Sequence, residues 1–184
     1  MTADRPKSQT YIQTYIGSKR IVQKEPVLAR LVQRTVDLAL ENVENGGKPF
    51  ACVVVDEDSL EILHEATNQV AQTGDVSAHA EITAIRELAA AGRTDLTGCE
   101  VYVTAYPCPM CLGALYYAAP ERVYYAASRE QESEHYEDGG RYMTLDSFYG
   151  EYAKHASEQN LPSTHIRVED PTASFRLWTS RHDG

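Results

Sequence analysis

Two short motifs, His79-Ala80-Glu81 and Pro107-Cys108-Pro109-Met110-Cys111, constrain this sequence more than any other feature. Histidine and cysteine are side chains that Zn²⁺ prefers. A site that uses His79, Cys108 and Cys111 must bring two segments together that are distant in the sequence. The sequence offers no obvious fourth protein ligand, and a zinc site with three protein ligands keeps one position open for water. A water acidified to a pKa near ~7 is a hydroxide source at neutral pH. The pattern therefore predicts a hydrolytic metal centre.

Both motifs lie at the start of a predicted helix. Apolar residues recur at helical spacing from His79 to about residue 91, and residues 110–119 form a second helical pattern. Cys108 and Cys111 would then lie at a helix N-terminus with their sulfur atoms on the same side. The helix N-terminus also favours the thiolate, which is the form that zinc binds.

Glu81 is the candidate general base. A carboxylate beside an activated water could accept its proton and pass protons on to the reacting molecule. His79 and Glu81 are about 200° apart around an ideal helix, so their spacing alone does not place them on one face. The geometry must therefore come from the first turn of the helix.

The remaining patterns predict a layered α/β domain. Apolar, β-branched runs predict strands at residues 49–56, 60–66, 100–104, 122–126 and 164–168. Amphipathic patterns predict helices at residues 26–45, 79–91, 110–119, 145–156 and 172–181. Because strands alternate with helices, parallel crossover connections are expected.

Length and composition fit one soluble domain. A chain of 184 residues can bury a full core, with residues 1–25 as a polar N-terminal arm and residues 26–184 as the domain. The net charge of −10 opposes a nucleic-acid partner, because phosphate binding needs clustered basic residues. No apolar run approaches a membrane span, and the N-terminus lacks a signal-peptide core. Four cysteines, two of them in the C-x-x-C, indicate a reducing compartment, so we expect a cytoplasmic protein.

A structural zinc site is the alternative to a catalytic one. Cys52 or Cys99 could act as a fourth ligand and close the coordination shell, which would leave a binding or scaffolding module without catalysis. Both cysteines lie on or beside predicted strands, where a buried free cysteine is common. Glu81 argues against this alternative, because a structural site has no use for a carboxylate next to the water position.

The segments Ala78–Arg86 and Pro107–Ala114 together resemble the cytidine deaminase-like superfamily and, within it, the bacterial guanine deaminases. H-x-E…P-C-x-x-C is also the signature of the zinc deaminases that act on nucleobases. The resemblance spans roughly residues 26–142. It implies a three-layer α/β/α sandwich with a central mixed five-stranded sheet, Zn²⁺ on His79, Cys108 and Cys111, and a proton shuttle at Glu81.

The same resemblance implies the substrate contacts. Asn68 matches the base-binding asparagine of the family, and the backbone N–H of Ala80 and the ring of Phe50 would complete the pocket. In the guanine enzymes an acidic residue after the fourth strand also grips the purine edge; Asp138 matches it first and Glu137 second. The implied reaction is the release of ammonia from a free aminopurine, converting guanine to xanthine.

The resemblance further implies a homodimer in which the C-terminal segment, about residues 143–184, is exchanged between subunits. A rival is deamination of adenosine within tRNA, which shares nearly the same motifs but needs a basic surface. This chain has 17 basic against 27 acidic residues. A free pyrimidine, a pterin or a nucleoside is left open as substrate by the motifs.

Overall fold

A four-stranded mixed sheet organises the first part of the structure, which is a computed structural model describing residues 21–137, 139–141, 144 and 147–182, with the backbone alone at 21–24. The strands are β1 (Ala51–Asp56), β2 (Ile62–Thr67), β3 (Cys99–Ala105) and β4 (Arg122–Ala127). The helices are α1 (Ile21–Glu44), α2 (Val70–Thr73), α3 (Ala80–Ala90), α4 (Pro109–Ala118), α5 (Arg129–Ser133), α6 (Phe148–Ala153) and α7 (Ala173–His182).

The strand order is β2-β1-β3-β4. β1 pairs antiparallel with both β2 and β3, whereas β3 and β4 are parallel. β2 and β3 therefore run in the same direction, with β1 between them. The connection through α3 is the crossover that the strand–helix alternation predicts, except that it passes over one strand.

Helices cover both faces of this sheet. β1 alternates its side chains between two hydrophobic clusters, so Cys52 and Val54 lie in one while Val53 and Val55 lie in the other. The first cluster contains residues of α3 and α4, and the second contains Leu31 of α1. A strand buried on both faces explains the continuous apolar run in the sequence. The predicted three-layer α/β/α arrangement with a mixed sheet is confirmed.

The register brings one end of each strand to the same edge of the sheet. Ala51, at the start of β1, pairs with Thr67 at the end of β2, and Cys52 pairs with Val103 near the end of β3. Ala105 pairs with Ala127, the last residue of β4. The carboxyl ends of β2, β3 and β4 consequently lie together, which is where α/β sheets commonly bind ligands.

The predicted fifth strand at residues 164–168 is wrong: the described residues form four strands in the sheet. Ile166 and Val168 alternate with polar residues, but their side chains are 69% and 61% exposed. A period of two becomes a strand only when a neighbouring backbone supplies ladder hydrogen bonds and an apolar surface covers one face. The segment is irregular backbone instead.

Other boundaries differ by a few residues. Leu60 has φ +59° and belongs to the turn, so β2 begins at Ile62 rather than at residue 60. α1 begins at Ile21 and includes Pro26, which was the predicted start. Residues 1–20, most of the predicted arm, lie outside the described residues, and the division into an arm and a domain stays a prediction.

Residues 139–182 belong to a second compact unit. Within it, α6 is followed by a single 3-10 turn at Ala156–Glu158 and by α7, with His182 stacked on Trp178 in the last turn. The buried carboxylate of Glu151 accepts hydrogen bonds from Lys154 and from the backbone N–H of Asn160. Across the described ranges, no helix is both long and apolar enough for a membrane crossing.

Candidate active site

His79 and Cys108 occupy equivalent positions, since each is the residue immediately before a helix. His79 precedes α3 with φ −67° and ψ 157°, and Cys108 precedes α4 with φ −64° and ψ 162°. Both are extended, and their carbonyl groups accept the first helical hydrogen bonds, from Thr83 and Leu112 respectively, each at 2.8 Å. Pro109 follows Cys108 at the first position of its helix, where the missing N–H has no cost.

This backbone conformation resolves the spacing of His79 and Glu81. The angular argument applies only to residues inside a helix, and His79 lies outside α3 in extended backbone. Glu81 lies inside its first turn. The two side chains can therefore meet at one place although they are not on one helical face.

The ligand atoms of His79, Cys108 and Cys111 all lie within 4.8 Å of one another, and in the described part of the chain they form the one such group of potential metal ligands. Cys108 Sγ is 3.6 Å from His79 Nδ1. A hydrogen bond from the Cys111 thiol, helped by His79, holds the pKa of Cys108 well below its usual range despite burial. The pair thus readily presents a thiolate. Two sulfur atoms and an imidazole nitrogen are a donor set that fits Zn²⁺.

Neither remaining cysteine joins this group. Cys99 opens β3, and Cys108 follows the other end of that strand, so the two lie roughly 20 Å apart by the rise of a strand. Cys52 is buried on β1 and is free, and its pKa is raised by burial and by the nearby charge of Glu81. Of the described cysteines and histidines, only three side chains converge, as an open, catalytic type of site requires.

Glu81 is buried beside the three ligand atoms. Burial raises the pKa of this carboxyl, and a hydrogen bond from its own backbone N–H, followed by contacts with the Cys111 thiol and with His79, partly offsets the effect. A buried carboxylate is costly unless it has partners or a task. Its place next to the ligand group allows it to exchange protons with a molecule bound there.

Asn68 follows β2 at the same edge of the sheet and is only 1% exposed. Its Oδ1 accepts a hydrogen bond from the backbone N–H of Val70 at 3.0 Å. Its Nδ2 is the single buried side-chain nitrogen or oxygen without a hydrogen-bond partner among the described residues. An orphaned buried donor is rare and calls for an explanation, for which a ligand acceptor is the simplest.

The other predicted contacts are placed unevenly. Ala80 is fully buried and is the first residue of α3, where backbone N–H groups have no partner within the helix. Phe50 directly precedes β1 and packs edge-to-face on Tyr136, with ring centroids 5.0 Å apart. Glu137 is exposed, and Asp138 lies outside the described residues, so their proposed contact with a purine stays a prediction.

Tyr136 contacts a predicted pocket residue, Phe50, and was not itself predicted from the sequence. Besides its contact with Phe50, its ring lies 5.9 Å from the Lys48 ammonium. The polar segment after β4 is thereby attached to the loop before β1. No sequence periodicity marks this contact, since between β4 and Tyr136 the chain forms only the five-residue helix α5.

Comparisons with known proteins agree with this geometry. The sequence profile of the cytidine and deoxycytidylate deaminase zinc-binding region matches residues 27–127. The chain is 38% identical to guanine deaminase of Bacillus subtilis over 80% of this chain and 90% of that protein. The crystal structure of the Bacillus subtilis enzyme matches with a TM-score of 0.74 and 35% identity, covering 83% of this chain and 93% of the other.

Two further relatives match over a smaller part of the chain. A solved guanine deaminase from Nitrosomonas europaea has a TM-score of 0.55 and 28% identity, covering 62% of this chain and 66% of its own. A tRNA-specific adenosine deaminase of Aquifex aeolicus is 41% identical, but over only 46% of this chain and 55% of its own length.

Proposed function

Because the chain belongs to the family of the cytidine and deoxycytidylate deaminase zinc-binding region, we propose that it is a zinc-dependent aminohydrolase that converts guanine to xanthine and ammonia. The observation that carries the proposal is the buried carboxylate of Glu81 held against a group of three zinc-type ligands. The similarity to guanine deaminase of Bacillus subtilis extends over four fifths of the chain and supports the choice of substrate.

In this proposal the metal is held by His79, Cys108 Sγ and Cys111 Sγ. Bound there, Zn²⁺ would lower the pKa of a water molecule to near ~7 and so supply a nucleophile at neutral pH. The helix that begins after Cys108 directs its N-terminal dipole at the sulfur atoms, which stabilises their anionic form. Burial of Cys111 excludes bulk water from that side of the site.

Glu81 moves the protons. Its carboxylate accepts a proton from the attacking water and delivers it to the ring nitrogen next to the carbon that carries the amino group. A new carbon–oxygen bond forms at that carbon. A second proton passes through the same carboxylate to the amino nitrogen, the carbon–nitrogen bond breaks, and ammonia leaves.

Asn68 orients the base by donating from its unpartnered Nδ2 to an acceptor on the purine edge. The backbone N–H of Ala80 and the ring of Phe50 complete the pocket on two further sides, and Asp138 or Glu137 would accept from the purine N–H groups. The relatives named as guanine deaminases act on a small nucleobase, which fits a buried, uncharged donor of this kind.

Replacing Asn68 with aspartate tests its role. Asn68→Asp keeps Oδ1 as acceptor for the Val70 N–H but removes the Nδ2 donor. We expect the KM for guanine to rise by roughly 10²-fold, since a buried donor for a substrate acceptor is lost, while zinc content is unchanged. Steady-state kinetics and elemental analysis measure both. An unchanged KM would remove Asn68 from base recognition.

The substrate itself is tested by a panel of guanine, adenine, cytosine, guanosine and an anticodon stem-loop, each assayed for ammonia release. We expect kcat/KM for guanine to exceed that for every other member by roughly 10³-fold or more. The tRNA alternative fits poorly with 17 basic against 27 acidic residues. Preferred turnover of the stem-loop would replace guanine with tRNA adenosine as the substrate and keep the deaminase chemistry.

Two expectations accompany this proposal. A homodimer with an exchanged C-terminal segment stays a prediction; the strongly exposed Tyr116 and Tyr117 on α4 are a surface that a second copy could cover. A cytoplasmic location also stays a prediction, supported by four free cysteines. Sedimentation velocity of the purified protein measures whether it is a dimer.

A further inference from the structure

Asn42, near the end of α1, is only 6% exposed, and both the nitrogen and the oxygen of its side-chain amide form hydrogen bonds. Its Nδ2 donates to the backbone carbonyls of Lys48, at 2.8 Å, and of Asn68, at 2.9 Å. Its Oδ1 accepts from Gln72 Nε2 at 3.0 Å. Both donor hydrogens and an acceptor position of one buried amide are therefore used across three separate segments.

These bonds connect the two loops that carry the proposed base contacts. The backbone N–H of Phe50 donates to the carbonyl of Lys48 at 2.8 Å, and the N–H of Asn68 donates to the carbonyl of Phe50 at 2.9 Å. Asn42 binds the first and last carbonyls of this short chain of hydrogen bonds. The backbone positions of Phe50 and Asn68 are consequently fixed relative to each other by one side chain from a different layer.

The space around this amide is closed. A Cβ placed on Gly47 would lie 2.4 to 2.5 Å from three atoms of the Asn42 amide group. The amide cannot move aside without giving up its hydrogen bonds, so this position requires glycine. Gly47 also donates its N–H to the backbone carbonyl of Asn42 at 2.7 Å. Gly47 and Asn42 are therefore joined by a backbone hydrogen bond as well as by this close approach.

Only an asparagine side chain fits these demands. Aspartate has the same shape but no hydrogen to donate. Alanine leaves the Asn68 carbonyl without its donor in a buried place, and the Lys48 carbonyl keeps only the Phe50 N–H. Leaving buried acceptors unpaired costs more than the average hydrogen bond contributes, so the loops would shift to find water. A shift of about 1 Å at a base-binding residue is enough to weaken substrate positioning strongly.

We propose that Asn42 is a positioning residue for base recognition, acting through Asn68 and Phe50. This inference rests on the proposed function, because it assigns Asn42 to the same base pocket. Asn42 orients the loops by which the pocket meets the purine and belongs neither to the metal ligands nor to the proton path.

A double-mutant cycle separates this role from a general effect on folding. Asn42→Ala is made in the wild type and in Asn68→Asp, and the Kd of the guanine analogue 8-azaguanine is measured by calorimetry on the zinc-loaded protein, beside KM and kcat for guanine. We expect Asn42→Ala to weaken both Kd and KM about 10-fold in the wild type and less than about twofold in Asn68→Asp, since residues of one network are not additive. Zinc content should be the same in all four proteins.

Asn45→Ala is the matched control. Asn45 lies on the turn after the same helix, is exposed, and bonds only the Glu41 carbonyl, at 2.7 Å. We expect no change in Kd or KM. Should Asn42→Ala fail to fold, Gln72→Ala removes a single bond to the Asn42 amide from an exposed position and should weaken Kd in the same direction to a smaller extent.

The outcomes are distinguishable. A wild type that neither binds 8-azaguanine nor deaminates guanine overturns the proposed function and this inference with it. An active wild type in which Asn42→Ala weakens binding equally in both backgrounds, or no more than Asn45→Ala does, overturns the inference alone.

Discussion

Glu81→Gln should yield a folded, zinc-loaded protein whose kcat for ammonia release is lower by roughly 10²- to 10⁴-fold, the range that a positioned general acid–base contributes. Glutamine has nearly the same volume and can keep a hydrogen bond to the neighbouring thiol, but it cannot accept and return a proton. Burial already disfavours the charged carboxylate, so the neutral amide should not lower the thermal stability. Kinetics, elemental analysis and thermal unfolding together check the prediction.

Glu87→Gln is the matched control for this experiment. Glu87 lies on the same helix as Glu81, is exposed, and pairs with His64 Nε2 at 2.7 Å. The same chemical change there should leave kcat unaltered. Full activity in Glu81→Gln would exclude Glu81 as the proton shuttle, and an equal loss in both variants would assign the effect to the helix rather than to the carboxylate.

Cys108→Ala should abolish stable zinc binding and, with it, activity. Removing one of three ligands leaves two, and even the loss of a residue that only supports a ligand costs about 10- to 100-fold in metal affinity. The zinc-free protein should also unfold at a lower temperature, because a metal that binds only the folded state stabilises it. Zinc per chain after dialysis against a weak chelator, measured by elemental analysis, gives the result directly.

The two other cysteines are the controls that decide between a catalytic and a structural centre. Cys52→Ala and Cys99→Ala should both retain zinc, because neither sulfur joins the group formed by the three ligand atoms. Zinc loss in Cys52→Ala would indicate a fourth protein ligand and a closed site. In that case the hydrolytic proposal would fail whatever the substrate.

The zinc ligands could be found from the sequence because each motif is local. The C-x-x-C spacing and the start of a helix are properties of a few consecutive residues, and the structure brings these ligands together as expected. Asn68 was named through the resemblance, and what the structure adds is its unpartnered Nδ2.

The spacing of His79 and Glu81 could not be interpreted from the pattern. The answer depended on where the helix begins, and a shift of one residue at a helix start moves a side chain from helical to extended backbone. A sequence pattern rarely fixes a helix boundary to better than one or two residues.

In the sheet, too, the local strand positions could be predicted, whereas the pairing of the strands could not. The four strands within residues 49–126 were predicted from their apolar, β-branched runs, but the placement of β1 between β2 and β3 was not. The segment at 164–168 has a similar alternation and forms no strand. Pairing depends on a neighbouring backbone that a sequence pattern does not specify.

The role of Asn42 could not be predicted from any sequence pattern. An asparagine near a helix end is usually a capping or surface residue, and the Nδ2 of Asn42 donates to backbone carbonyls up to 26 residues away. Backbone acceptors look the same at every position, so no residue type could have pointed to them.

The amino-acid sequence by itself determined the chemistry of this protein: which atoms can hold a metal, which carboxylate lies beside them, and where the helices and strands of the sheet domain that carry them lie. Tertiary structure decided the geometry in which that chemistry operates, namely the order of the strands, the extended residue before each helix, and the buried amide that joins two loops. The physical reason is that side-chain type and short-range periodicity are written residue by residue, whereas hydrogen bonds between distant backbones exist only once the chain has packed.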